Sequence, residues 1–167
     1  MAFASCQVFN AAKDAEAISS FQREARLALN LAHDNVVPTL AVCLTPPQLA
    51  IVMPWFDHSL ADALFGEESK RLAPQLTAAR RFEIACDIAS GLAFLHGGDP
   101  IVVHGDLKPD NVMLNKHLQA KLADFGQSRI HQTARTTTAG LQGTVAYMAP
   151  ELLTAEGKPS PSSDIYR

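Results

Sequence analysis

A chain of 167 residues with 47% apolar and 19% charged side chains has room for one hydrophobic core and is too apolar to be a disordered segment. Its formal charge of −3 is too small to make nucleic acid or an anionic membrane surface the main partner. Met1–Phe9 has no basic stretch leading into a long apolar run, and no later run approaches membrane-spanning length, so neither a signal peptide nor a membrane segment is expected in these residues.

In chain order, Phe3–Phe9 is a short apolar strand, and Asn10–Ala17 turns toward a helix. From Ile18 to Leu31 the apolar positions Ile18, Phe21, Ala25, Ala28, Leu29 and Ala32 keep a helical period. His33–Pro38 is a loop, Thr39–Leu44 a strand, Pro46-Pro47 a turn, and Gln48–Met53 a second strand rich in Ile, Val and Leu. Ser59 opens a short helix with the capping sequence Ser-Leu-Ala-Asp, which ends at Gly66. Glu67–Pro74 is a polar loop. Thr77 starts a long helix to about His96, with Phe82, Ala85, Ile88, Ala89, Leu92 and Leu95 on one face, and Gly97-Gly98-Asp99-Pro100 stops it. Ile101–Val103 is a brief strand, and Val112–Leu114 with Ala120–Leu122 form a hairpin around Asn115–Gln119. The three cysteines, Cys6, Cys43 and Cys86, sit far apart in apolar stretches, which predicts buried free thiols in a reducing compartment.

The chemistry is concentrated in three stretches. His104-Gly105-Asp106-Leu107-Lys108-Pro109-Asp110-Asn111 brings a carboxylate, an ammonium and a carboxamide within six positions. Asp124-Phe125-Gly126 adds a second carboxylate beside a glycine, and Gly143-Thr144-Val145-Ala146-Tyr147-Met148-Ala149-Pro150-Glu151 follows. Converging acids and an amide suit a hard cation such as Mg²⁺, which takes oxygen ligands and shares them with phosphate. A neighbouring lysine stabilises charge on a transferring phosphoryl group.

The three stretches, in this order and spacing, resemble the signature motifs of the protein kinases: a catalytic loop, D-F-G and A-P-E. The resemblance covers nearly the whole chain and points to the Ser/Thr kinases of the tyrosine-kinase-like and receptor-like group. It implies an α+β, two-lobe fold, with 1–53 as part of a small lobe, 54–58 as a hinge and 59–167 as part of a large lobe. It implies that the chain holds the middle of such a domain, ending at the start of the helix that anchors the large lobe, where exposed apolar surface would favour association. ATP and Mg²⁺ follow as cofactors, protein serine and threonine hydroxyls as substrates, and the cytoplasm as the place.

In the resemblance Asp106 orients or accepts the substrate hydroxyl proton, Lys108 stabilises the moving phosphoryl group, and Asn111 and Asp124 hold the metal. Met53 gates the nucleotide pocket, Trp55 and Phe56 offer hinge N–H groups beside Pro54, which has none, and Met113 lies under the adenine. Glu24 matches the small-lobe helix glutamate that pairs with a strand lysine. Asp164 is expected to tie down the backbone of the catalytic loop, and His104 to pack beneath Phe125.

Three departures stand out. Gln7 falls where the strand lysine is expected, and a neutral amide lacks the point charge an ammonium gives phosphate. Lys13, the nearest lysine, lies in the polar turn. The Gly-rich loop expected before that strand is not in these residues. Gly105 replaces the arginine that reads a phosphorylated activation loop, so Thr133, Thr136, Thr137 and Thr138 have no partner there. Two other readings stay open: a pseudokinase that binds nucleotide or a partner without transfer, and, from the H-G-D spelling, a small-molecule phosphotransferase.

Overall fold

The computed structural model describes residues 4–9, 15–45, 48–124, 145–153 and 159–167, with backbone alone along 4–9 and at positions 16, 17, 20, 23 and 24. The first sheet is built from β1 (Ala4–Phe9), β2 (Ala41–Cys43) and β3 (Leu49–Pro54), in the order β1-β3-β2 with both pairings antiparallel. The apolar run of β3 takes the central place, because only a strand paired on both sides satisfies its backbone while hiding Leu49 and Ala50. Gln7 sits opposite Ile51 in the β1–β3 register.

Helix α1 (Ala15–Ala28) covers this sheet. Phe21 and Ala25 meet Leu49 in a small core flanked by Ile18, Val42, Leu44 and Ile51. Gln22 adds a hydrogen bond from Nε2 to the Leu44 carbonyl, 2.8 Å. The helix stops short of the predicted Leu31. The Leu27 and Ala28 carbonyls accept from Asn30 and Leu31 in a tightened last turn, and the Asn30 side chain donates to the Arg26 carbonyl. Leu29 is consequently 45% exposed.

The second sheet, in the order β4-β5-β6, pairs β4 (His58–Ser59), β5 (Val112–Leu114) and β6 (Ala120–Leu122), all antiparallel. The hairpin has the predicted bounds, and β4 is an unpredicted third strand. Helices α2 (Leu60–Phe65), α3 (Ser69–Leu72) and α4 (Ala78–His96) pack with this sheet around Ile84, Leu92, Leu95, Val112, Leu114 and Leu122. Ser59 caps α2 through a capping box with Asp62. The predicted loop Glu67–Pro74 contains α3, one helical turn held in place by buried Leu72.

The apolar face of α4 matches the predicted one in part, with Ile88, Leu92 and Leu95 packed toward the core as expected. Ile84, Gly91, Leu92 and Leu95 face the core, whereas Phe82 is 71% exposed and Ala85 and Ala89 lie in solvent. The stripe starts at Ile84 because Gly91, seven residues on, lets the helix approach β6. A Cβ there would stand 2.7 Å from the Asn35 carbonyl oxygen and 2.9 Å from Leu122 Cδ1. Residues 101–103 do not form the predicted strand; Val102 N–H donates instead to the end of α4 at the Leu95 carbonyl, 3.0 Å. Cys43 and Cys86 are exposed, not buried: Cys43 lies on the outer face of edge strand β2, and Cys86 on the solvent side of α4.

The segment after α1 is stitched to the second sheet. Val37 N–H donates to the Leu122 carbonyl at 2.8 Å, Leu122 N–H to the Asn35 carbonyl at 2.9 Å, and Asn35 Nδ2 to the Ala120 carbonyl at 3.0 Å. The strand that precedes Asp124 is thereby fixed from both sides.

Candidate active site

The loop from His104 to Asn111 is anchored from below by α5 (Pro161–Tyr166). Ser160 and Ser163 close a capping box at its start, and Pro161 needs no N–H partner in the first turn. This sets Asp164, 1% exposed, beneath the loop. Its Oδ2 accepts from His104 N–H and its Oδ1 from Gly105 N–H, each at 2.8 Å, and His96 Nε2 lies 2.9 Å from Oδ2. A buried carboxylate with three polar partners in this way is a rigid peg rather than an isolated charge. Asp164 thus holds the loop backbone, as expected.

Between these two N–H groups and Asp106 the chain makes a sharp turn. Gly105 has φ of 77°, a left-handed conformation that glycine adopts without the steric cost of a side chain. His104 is fully buried, and its Nδ1 accepts from Asp106 N–H at 3.3 Å. Burial holds the His104 imidazole below its ordinary pKa, against the opposing pull of the Asp164 and Asp106 carboxylates. The ring is a neutral structural acceptor.

Asp106 itself is half-buried and charge-paired. Lys108 Nζ lies 2.8 Å from Oδ2, and Asn111 Nδ2 donates to Oδ2 at 3.1 Å and to the Asp106 carbonyl at 2.7 Å. Asn111 sits in a 3-10 turn, Pro109–Asn111, and its N–H closes back on the Lys108 carbonyl at 2.9 Å. With its side-chain N–H groups spent on Asp106, its side-chain Oδ1 takes no hydrogen bond from the described residues.

Asn111 and the second acid are joined through the backbone. Ala123 N–H donates to the Asn111 carbonyl at 2.9 Å, and Asp124, the next residue, turns sharply with φ of 60°. Such a conformation is uncommon for a residue with a side chain and clusters at functional sites. Among the described residues no group of three or more His, Cys, Asp and Glu side chains could hold a metal. An amide oxygen and one carboxylate fit a hard cation whose remaining oxygens come from phosphate and water.

The other predicted residues are distributed as follows. Met53 lies near the end of β3, half-buried; Trp55 is exposed and Phe56 half-buried in the connection from β3 to β4; Met113 is the half-buried centre of β5, opposite Ser59 and Lys121. Glu24 lies on α1 and Gln7 on β1, with both side chains outside the described residues, as are Lys13, Phe125, Gly126, the four threonines, Gly143 and Thr144. Glu151 stands in the 3-10 turn Pro150–Leu153. Three contributors went unread in the sequence. Asp87 accepts from Ala120 N–H at 2.8 Å, His96 reaches Asp164, and Arg167 Nη1 donates to Asp106 Oδ1 at 3.3 Å. Their partners lie too far along the chain for any local pattern to mark them.

Comparison with known proteins defines the class. The family model for the protein kinase domain matches residues 2–167, and the chain belongs to that family. Its relatives include three proteins of Arabidopsis thaliana. It is 34% identical over 152 residues to the serine/threonine-protein kinase CTR1, covering 91% of this chain and 18% of that protein. It is 35% identical over 154 residues to the L-type lectin-domain containing receptor kinase VI.2, covering 90% and 22%. It is 32% identical over 151 residues to the cysteine-rich receptor-like protein kinase 42, covering 89% and 23%. The chain therefore spans about a fifth of the length of these relatives. No helix among the described residues is long and apolar enough to cross a membrane. Family membership carries with it the general use of ATP and a divalent metal.

Proposed function

We propose that this chain transfers the γ-phosphoryl group of ATP to serine and threonine hydroxyls of proteins, in the cytoplasm. The observation that carries the reading is the Asp106 carboxylate, paired with Lys108 and Asn111 on a loop pegged by buried Asp164. Asp106 orients the substrate hydroxyl and takes its proton. The hydroxyl oxygen bonds to the γ-phosphorus while the bond from that phosphorus to the bridging oxygen of ADP breaks. Lys108, 2.8 Å from Asp106, is placed to offset charge on the moving group. Asn111 and Asp124 would hold Mg²⁺, which supplies charge neutralisation to the phosphates when bound. We assign 1–53 to a small lobe, 54–58 to a hinge and 59–167 to a large lobe. Met53, the Trp55 and Phe56 N–H groups and Met113 would form the adenine slot, and Glu24 would stand on α1 at the position whose glutamate pairs with the strand lysine that holds the phosphates.

One observation favours a second reading, a nucleotide-binding module without transfer: Gln7, on β1 opposite Ile51, stands at the position of the expected lysine. Phosphate transfer to a serine peptide and to a general protein substrate, with Asp106→Asn as control, separates the two. Under the first reading the substitution lowers turnover about 10²- to 10⁴-fold, the usual contribution of a positioned acid or base. Nucleotide binding with no transfer from either form favours the second.

A further inference from the structure

The lone pairs of Asp106 can be counted. A carboxylate accepts about four hydrogen bonds, two at each oxygen. Among the described residues Oδ2 has two partners, Lys108 at 2.8 Å and Asn111 at 3.1 Å. Oδ1 has one, Arg167 Nη1 at 3.3 Å. One acceptor direction is left, and it belongs to Oδ1.

Arg167 is an unusual partner. It follows α5, whose Asp164 pegs the same loop, and its side chain is only 2% exposed. Its Nε–H is buried and finds no acceptor among the described residues. Burying a guanidinium costs free energy that a single 3.3 Å contact offsets poorly. Such a cost in a pegged, well-packed place is the mark of a group kept for its position.

We propose that Arg167 is a positioning residue for phosphoryl transfer. It holds Oδ1 while Lys108 and Asn111 hold Oδ2, which fixes the plane of the Asp106 carboxylate and leaves Oδ1 as the oxygen that receives the substrate hydroxyl proton. The inference rests on the transfer reading given above. Without Arg167 the carboxylate is held at one oxygen only and turns about its last torsion, so the hydroxyl is aligned in a smaller fraction of complexes. Binding of ATP, which does not involve Oδ1, is unaffected.

The test is steady-state phosphate transfer by the full chain carrying Arg167→Met, Arg167→Gln or Arg167→Lys, beside Asp106→Asn, with melting curves for each. Methionine and glutamine should lower turnover about tenfold while KM for ATP stays within about twofold. Lysine, which returns a charge without the planar fork, should recover part of the loss. In ¹³C-labelled protein, the Asp106 carboxyl resonance, assigned through Asp106→Asn, should move in the methionine and glutamine variants. A folded variant of either kind with wild-type or faster turnover, or an unmoved resonance, overturns the proposal while leaving the transfer reading intact, provided Asp106→Asn is inactive. Absence of transfer by the wild-type chain, or full transfer by Asp106→Asn, overturns the transfer reading and this inference with it.

Discussion

The two sheets of this molecule do different work. The first, under α1, is held by apolar contact: Phe21, Ala25 and Leu49 pack together, and among the described residues no polar side chain is buried with them. The second supports a loop whose neighbourhood buries His104, Asn111, Ser163 and Asp164. Apolar packing is tolerant, because many side chains of similar volume fill the same space. Buried polar groups are not, since each donor and acceptor needs a partner in a fixed direction. Among the described residues the demanding arrangement is therefore the one around Asp106 and Asp164.

The contrast is broken most directly at Asp164. Replacement by alanine strands the His104 and Gly105 N–H groups and the His96 ring at once. We expect a loss of about 3–5 kcal/mol, the cost of breaking a buried charged network from one side. Denaturant melts of Asp164→Ala against Leu49→Val on the first sheet measure it; the latter deletes only a methylene and should cost about 1 kcal/mol. Equal losses would mean that the polar network is no more demanding than the apolar one. A second break lies at Gly91, where a Cβ has a backbone oxygen at 2.7 Å. Gly91→Ala should destabilise by about 1–3 kcal/mol through overpacking and should loosen β6, seen as faster amide exchange at Leu122.

The same contrast governs what could be read from the sequence. Hairpin bounds at 112–114 and 120–122, the cap at Ser59 and the length of α4 were legible, because each is written in adjacent residues as apolar runs, turns and caps. The association of Asp106, Lys108 and Asn111 was legible for the same reason: one turn of chain brings them together. The face of α4 was legible only in part: Ile88, Leu92 and Leu95 lie on the core side as read, but alanines count as apolar in a periodic pattern yet sit in water at little cost, and Gly91 has no side chain to count. Strand β4 is two residues long and is defined only by its pairing with Met113 and Leu114. The contact of Arg167 with Asp106 spans 61 positions and follows no motif.

Protonation sharpens the comparison further. His104 is buried and held below its ordinary pKa by desolvation. The unfolded chain, with a histidine pKa near 6.5, therefore binds this proton first as pH falls. Stability from this group is complete above about pH 6.5 and drains away below it, toward the depressed folded value, by at most about 1.4 kcal/mol per pH unit. His104→Asn, compared with wild type in melts from pH 7.5 to 5, should flatten that slope. A slope left unchanged by the substitution would show that the buried His104 ring does not carry it.

The smallest effect belongs to the capping box of α2, which is polar like the loop but open to water. Ser59 N–H and Oγ both donate to Asp62 Oδ2, at 2.9 and 2.7 Å, and Asp62 N–H donates back to Ser59 Oγ at 3.1 Å. These bonds, the backbone one first, hold the Asp62 carboxyl below its ordinary pKa. The stabilisation is present above the unfolded carboxylate pKa of about 3.9 and is lost as pH falls through the lower folded value. Ser59→Ala should cost about 1 kcal/mol at neutral pH and less in strong acid, where Asp62 is protonated in both states. If an exposed reciprocal pair proved as costly to cut as the buried Asp164 network, satisfaction of hydrogen bonds alone, and not their burial, would be what makes the loop intolerant of change.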